Sequence, residues 1–131
     1  MATLEAVFYA YATGSLIAYM LEDEFATVDE LFAAAATFTL LAWTFAYIYL
    51  VCQTLAPGSF GALVGSGKPR TWMELLFLSF TTLSGVGLGD IVPLLPMARA
   101  LVMLEEFSGV MYLTLVVSRL ISLTVATRSA R

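Results

Sequence analysis

Two long apolar segments dominate the pattern of hydrophobic and polar positions along this chain. The first runs without a charged residue from Leu31 to Val51. At about 1.5 Å per residue such a helix is roughly 30 Å long, which matches the hydrocarbon core of a membrane. An acidic pair precedes it, where negative charge suits a helix N-terminus, and a Pro-Gly turn follows it. The pattern predicts an outer transmembrane helix over about 31–53.

The second apolar segment predicts an inner helix over about 96–125. Pro96 suits its first turn, where a missing N–H costs little. A straight helix of this length exceeds about 40 Å, so we expect its Arg-containing end to leave the membrane. Glu105 and Glu106 interrupt the apolar character, and Gly109 lies near the middle.

A third element lies between these helices and is too short to span a membrane. The segment Thr71–Leu83 predicts a helix of about three turns. The sequence SGVGLGD follows directly, and its alternate glycines disfavour a helix. Irregular backbone at membrane depth is tolerated only inside protein or beside a water-filled path. The pattern therefore predicts a re-entrant loop.

The N-terminal segment is also apolar, from Ala6 to Leu21, and an acidic cluster follows it. Two interpretations stay open. The segment lies along the membrane interface as a juxtamembrane helix (residues 1–27), or it is the last helix of a larger membrane domain. We expect an ordered helix joined to the outer helix by residues 22–27.

Composition supports a membrane protein and excludes several other classes. The chain is 60% hydrophobic and 12% charged, whereas soluble domains have about 45–50% apolar and about 25% charged residues. The net charge of −4 comes without a basic patch, so we expect no nucleic-acid partner. There is no His and only one Cys, Cys52. A Ser-His-Asp triad and an intrachain disulfide are therefore excluded, and we expect no enzyme.

The glycine-rich segment has a physical use in a cation pore. Glycines allow successive carbonyl oxygens to face one axis, and rings of carbonyls can replace the hydration shell of an ion. One chain supplies one edge of such a ring, so symmetric assembly is needed, and four chains give a suitable cage. The negative C-terminal end of the short helix would favour cations.

The segment Leu76–Pro93, LFLSFTTLSGVGLGDIVP, resembles the pore loop of potassium channels, which reads Thr-x-Thr-Thr-Val-Gly-Tyr-Gly-Asp at the same place. The flanking helices resemble the two-helix pore module over residues 31–125. Gly109 stands at the distance beyond Asp90 at which that family has a hinge glycine. The resemblance implies an all-α membrane protein with two transmembrane helices, a re-entrant pore helix and a filter loop. It also implies a four-fold homotetramer and a pore domain over 28–131.

The resemblance assigns roles by position. The selectivity filter is Gly85, Val86, Gly87, Leu88 and Gly89, where K⁺ would bind the backbone carbonyls of the first four, and no other cofactor is expected. Filter support is assigned to Thr81, Thr82, Ser84 and Asp90. The hinge and inner pore are Gly109, Val110, Leu113, Val117, Ile121 and Val125. Spacings of three and four make the last five one helical stripe, which lines the pore or packs against lipid and neighbours.

The sequence departs from the family pattern at three positions. Leu88 replaces an aromatic residue whose side chain points away from the ion, so apolar packing must hold the filter open. Gly85 replaces a Thr whose hydroxyl helps to form the innermost ion site, which predicts a weaker site and relaxed selectivity. Thr81 stands where some relatives carry a Glu that pairs with the filter Asp, so that pair is absent here.

Glu105 and Glu106 suggest a hypothesis of their own, because ionisable groups in a spanning helix usually face protein or water. We expect at least one to support the filter from behind by accepting a hydrogen bond. The candidate donors are Ser79, Thr81, Thr82 and Ser84. Glu106 could instead face the cavity and attract cations, and snorkelling toward the outer surface is the third alternative. We interpret the nearby aromatics as interface or packing residues: Trp43, Tyr47, Tyr49 and Trp72.

The sequence thus favours a potassium-selective pore that conducts passively across a membrane, in contact with lipid. A nonselective cation channel of the same fold is the nearest alternative, followed by a non-conducting assembly or regulatory subunit. An ion-coupled transporter is disfavoured because internal repeats are absent. We expect a prokaryotic plasma membrane, and a sensor or regulatory domain outside this chain as a partner.

Overall fold

Four helices and two short strands make up the chain in the computed structural model, which describes residues 1–22, 28–62 and 67–129. The helices are α1 (Ala2–Glu22), α2 (Val28–Leu55), α3 (Trp72–Leu83) and α4 (Pro96–Ser129), and the strands are β1 (Phe60–Ala62) and β2 (Ile91–Pro93). The predicted all-α architecture is confirmed. The outer and inner helices are both longer than the sequence pattern indicated.

Two helices of the described residues are long and apolar enough to cross a membrane. The candidate spans are Leu31–Leu55 in α2 and Pro96–Ser122 in α4, each with a mean hydropathy of 1.7. Of an apolar 18-residue stretch in each span, only 33% in α2 and 17% in α4 is buried within the chain. The core helix of a soluble protein is mostly buried, so the exposed apolar surface favours a bilayer or neighbouring copies as the surroundings of both helices.

A capping box fixes the start of α3. The Thr71 hydroxyl accepts a hydrogen bond from the Glu74 backbone N–H (3.3 Å), and the Glu74 carboxylate accepts one from the Thr71 backbone N–H (2.6 Å). These contacts, the backbone N–H first and the Thr71 hydroxyl second, lower the pKa of the Glu74 carboxyl. The preceding Arg70 backbone is held by the Gln53 amide, with hydrogen bonds of 2.7 and 2.9 Å. The capping box and the Gln53 contact therefore fix where α3 begins relative to the end of α2.

The two strands were not predicted from the sequence. They pair antiparallel, with Gly61 opposite Val92, and the Leu94 backbone N–H donates to the Ser59 carbonyl (2.8 Å). Strands of three residues are too short to show an alternating pattern, which explains why they were missed. Their pairing connects the loop after α2 to the segment that leaves the glycine-rich loop.

The core of the chain lies between α2, α3 and the start of α4. Its buried members include Phe45, Tyr49 and Cys52 of α2 and Leu75 and Leu78 of α3. The helix α1 also packs on α2, through an aromatic cluster that lies on a different side of α2 from this core. This aromatic cluster consists of Tyr9, Trp43, Tyr47 and Trp72, with ring centroids 5.4 to 5.8 Å apart.

Candidate functional site

The glycine-rich segment leaves the end of α3 with a backbone that only glycine adopts readily. Gly85 has a φ of +72° and Gly87 a φ of +64°, in the left-handed region that side chains with a Cβ rarely occupy. Val86 and Leu88 have no such φ, so the sign alternates along the segment. The sequence interpretation of Gly85 included the loss of a hydroxyl but no need for a positive φ. The structure adds a reason for glycine there.

The last turn of α3 holds this segment by its backbone. The Thr82 carbonyl accepts a hydrogen bond from the Gly85 N–H (3.0 Å), and the Thr81 carbonyl accepts one from the Gly87 N–H (2.9 Å). The Ser84 hydroxyl also turns back and donates to the Thr81 carbonyl (3.3 Å). Carbonyls at a helix end otherwise lack partners, so these bonds satisfy the end of α3 and fix the path of the segment. Thr81 and Thr82, two of the residues assigned to filter support, thus bind the segment through their backbone carbonyls.

The remainder of the predicted filter faces away from the rest of its own chain. Val86 is 60% exposed and Leu88 is 68% exposed. Gly89 and Asp90 are exposed as well, and Asp90 lies at the bend before β2. Open surface on this segment leaves room for other copies of the chain. The packing expected to hold Leu88 in place is therefore not supplied by the described residues of the same chain.

Behind α3, the Glu105 carboxylate links three helices. Its side chain is completely buried. It accepts hydrogen bonds from the Ser79 hydroxyl of α3 and the Tyr49 hydroxyl of α2. The Ser79 hydroxyl also lies 2.8 Å from the Ala42 carbonyl of α2. These side chains form a buried hydrogen-bonded network that joins α2, α3 and α4.

The bond between Glu105 and Ser79 is one of those that the sequence hypothesis allowed, while the Tyr49 bond was not foreseen. Of the two roles expected for Tyr49, the structure shows helix packing, because this side chain is buried in the core, and its hydroxyl also binds a carboxylate. Phe45, Tyr49 and Cys52 share one helical stripe, which is the signal that points Tyr49 into the core. Which group it meets there depends on the alignment of α2 with α4.

Glu106 lies on a different side of α4 from Glu105 and is exposed. One residue turns an α-helix by about 100°, so neighbouring carboxylates face different surroundings. The predicted pore stripe lies on the same side as Glu106, and its residues are all exposed in the single chain: Val110, Leu113, Val117, Ile121 and Val125. Pore lining by this stripe, and the role of Glu106, remain predictions.

Gly109 lies at a very close approach of α4 to the end of α3. A Cβ placed on Gly109 would lie 2.2 Å from the Leu83 carbonyl oxygen and 2.9 Å from its carbon. Real Cβ atoms do not come so close to backbone, so α4 packs against the end of α3 only because residue 109 lacks a side chain. The helix α4 continues through this position. The hinge role stays a prediction, and close packing is a second reason for the glycine.

Comparisons with known proteins agree with this architecture. A family model described as an ion channel matches residues 6–126. The inward rectifier potassium channel Kirbac3.1 of Paramagnetospirillum magnetotacticum is 30% identical over 74 residues. The aligned part is 56% of this chain and 22% of that relative, so the similarity concerns a small part of the longer protein. No solved structure matches the chain.

Proposed function

This chain belongs to the ion channel family, and from that premise we propose that four copies form a potassium-selective pore. In this proposal the backbone carbonyls of Gly85, Val86, Gly87 and Leu88 from each copy bind K⁺ along a common axis. The ion moves passively down its electrochemical gradient, and family membership favours conduction over catalysis.

One observation carries the proposal, namely the glycine segment after α3. Its alternating φ signs, its hydrogen bonds to the Thr81 and Thr82 carbonyls and its exposed outer surface together describe a rigid edge that other copies can complete. Carbonyl rings of this kind select cations by replacing their hydration shell. The similarity to a potassium channel supports K⁺ as the permeant ion.

The buried network of Glu105, Ser79 and Tyr49 supports the pore in this proposal. It holds α3 against α2 and α4, and α3 in turn holds the glycine segment. Burial of an ionisable group in a membrane helix is costly and usually serves function. Positioning of the filter is therefore the role that we assign to Glu105.

The reversal potential tests the proposal. Purified protein in a planar bilayer, with K⁺ on one side and Na⁺ on the other, should reverse near the K⁺ equilibrium potential. Leu88→Tyr restores the aromatic residue of the resembled family at a position with ordinary backbone, and we expect it to reverse at the same potential. Stable currents that reverse near zero would contradict potassium selectivity.

A nonselective cation channel of the same fold is the second candidate, and the glycine at residue 85 favours it. Gly85 offers no side-chain oxygen for an innermost ion site. The same recording separates the two candidates. Silence from a correctly assembled protein would favour a non-conducting subunit or a channel that needs a sensor domain outside this chain.

The number of copies in the assembly and the kind of membrane are further parts of the proposal. The two candidate spans and the family make the chain a membrane protein. We propose a homotetramer, because four edges complete a carbonyl cage. The bacterial origin of the relative supports a prokaryotic plasma membrane.

A further inference from the structure

The helix α1 lies lengthwise beside α2. Tyr9 stacks on Tyr47 with ring centroids 5.4 Å apart, and it meets Trp43 edge-on at the same distance. Four residues later in α1, the Thr13 and Thr44 hydroxyl oxygens lie 3.5 Å apart. Only residues 23–27 separate the end of α1 from the start of α2, so the two helices run antiparallel.

This pairing sets how far α1 extends along the candidate span of α2. Tyr9 lies level with about residue 45 of α2, and Thr13 lies level with Thr44. Since both helices rise about 1.5 Å per residue, these two pairings put Ala2 level with about residues 52–55 and Glu22 level with about residues 32–35. The span in α2 is Leu31–Leu55. The 21 residues of α1, roughly 30 Å, thus run beside most of that span.

α1 occupies the peripheral side of α2. The α2 residues that meet α1 are Trp43, Thr44 and Tyr47, whereas Phe45, Tyr49 and Cys52 face the core with α3. At about 100° per residue these two sets lie on opposite sides of the α2 helix. The helix α1 is therefore separated by α2 from the α4 face that carries the predicted pore stripe.

The free face of α1 is apolar. Leu4, Phe8 and Tyr11 recur at spacings of four and three and are 64% to 75% exposed. The stretch from Ala6 to Leu21 carries no charged residue, and Glu5 and Glu22 stand at its ends. An exposed apolar face of this kind is unfavourable in water, whereas at the periphery of the chain it can contact the hydrocarbon core of a bilayer.

We propose that α1 is a third transmembrane helix, antiparallel to α2, whose free face contacts lipid. The proposal places the Ala2 end of α1 on the same side of the membrane as the loop between α2 and α3, opposite the start of α2. An interfacial helix would instead keep both ends of α1 on the side of the α2 start. The inference does not depend on potassium selectivity or on conduction.

Single-cysteine labelling decides between the two topologies. In a Cys52→Ser background, the variants Thr3→Cys, Lys68→Cys and Asp29→Cys each place one thiol at an exposed position. Lys68 marks the side of the loop between α2 and α3, and Asp29 marks the side of the α2 start. Intact cells and inverted membrane vesicles are treated with a membrane-impermeant maleimide, and every variant is checked for the oligomer size of the unmodified protein.

We expect Thr3→Cys to be labelled at least tenfold faster in the preparation that labels Lys68→Cys than in the one that labels Asp29→Cys. Labelling together with Asp29→Cys would overturn the proposal. Protection from both sides would overturn it too, because Thr3 would then lie inside the bilayer. If Thr3→Cys does not assemble, Leu4→Cys, 73% exposed, replaces it in the same comparison.

Discussion

Glu105 is an ionisable residue inside the candidate membrane span of α4. It is fully buried and accepts hydrogen bonds from two hydroxyls. Glu105→Leu would leave Ser79 and Tyr49 without this acceptor, and a buried polar group without a partner costs about 1–3 kcal/mol. We expect a clear loss of thermal stability in detergent, followed by circular dichroism. Glu105→Gln should lose less, because its amide keeps an acceptor oxygen.

Glu106→Leu is the matched control for this prediction. It removes the same carboxyl group one position along the helix, where the side chain is exposed. We expect its melting temperature to stay close to that of the unmodified protein. Equal melting temperatures for Glu105→Leu and Glu106→Leu would contradict a specific structural role for Glu105.

Residue identity alone was enough to predict a filter segment but not the conformation of its backbone. The glycines of the segment were found from their alternation, and the resemblance to potassium channels gave their alignment. That Gly85 has a φ of +72° depends on how the chain leaves α3 after Leu83, where the Gly85 N–H donates to the Thr82 carbonyl. Sequence reasoning therefore identified the missing Thr hydroxyl but not the positive φ that favours a glycine at residue 85.

Among the elements, the contact between α3 and α4 depends most directly on one residue. Gly109→Ala would place a methyl group 2.2 Å from the Leu83 carbonyl oxygen, so α3 and α4 would have to separate. Overpacking of this kind costs about 1–3 kcal/mol, against a gain of about 1 kcal/mol in helix propensity. We expect a net loss of thermal stability and a weaker hold on the glycine segment that follows Leu83. Thermal unfolding of the purified protein in detergent measures the first effect.

Gly14→Ala separates helix propensity from packing. Gly14 lies in α1, and a Cβ there would meet nothing within 4 Å. The same substitution should therefore stabilise α1 by about 1 kcal/mol or leave it unchanged. A rise in stability for Gly109→Ala comparable to that for Gly14→Ala would show that close packing is not why residue 109 is glycine.

At the level of elements, length decided what the sequence could predict. Long apolar runs gave α2 and α4, and the short apolar run before the glycines gave α3. The strands β1 and β2 have three residues each, and their pairing is a contact between distant segments that no local pattern encodes. The hydrogen bond of Tyr49 was missed for a similar reason, since its hydroxyl meets a carboxylate 56 residues further along the chain.

For the whole molecule, the central question is what the exposed face of α4 contacts in the proposed tetramer. Val110, Val117 and Ile121 are between 53% and 61% exposed in the single chain. Contiguous apolar surface of this kind marks an interface, a lipid contact or the lining of a narrow pore. An apolar constriction closes to ions by losing its water, so a lining role predicts that polarity at the stripe opens the channel.

Val117→Thr tests this role because Val and Thr have almost the same shape and differ in one hydroxyl. If Val117 lines the constriction, the hydroxyl should keep the pore wet and raise the open probability several-fold in single-channel recordings in bilayers. Val7→Thr is the matched control, since Val7 is an exposed valine of α1, the helix that packs on α2. An unchanged open probability in Val117→Thr would assign the stripe to packing. A rise in Val117→Thr and none in Val7→Thr would place the apolar gate on this face of α4.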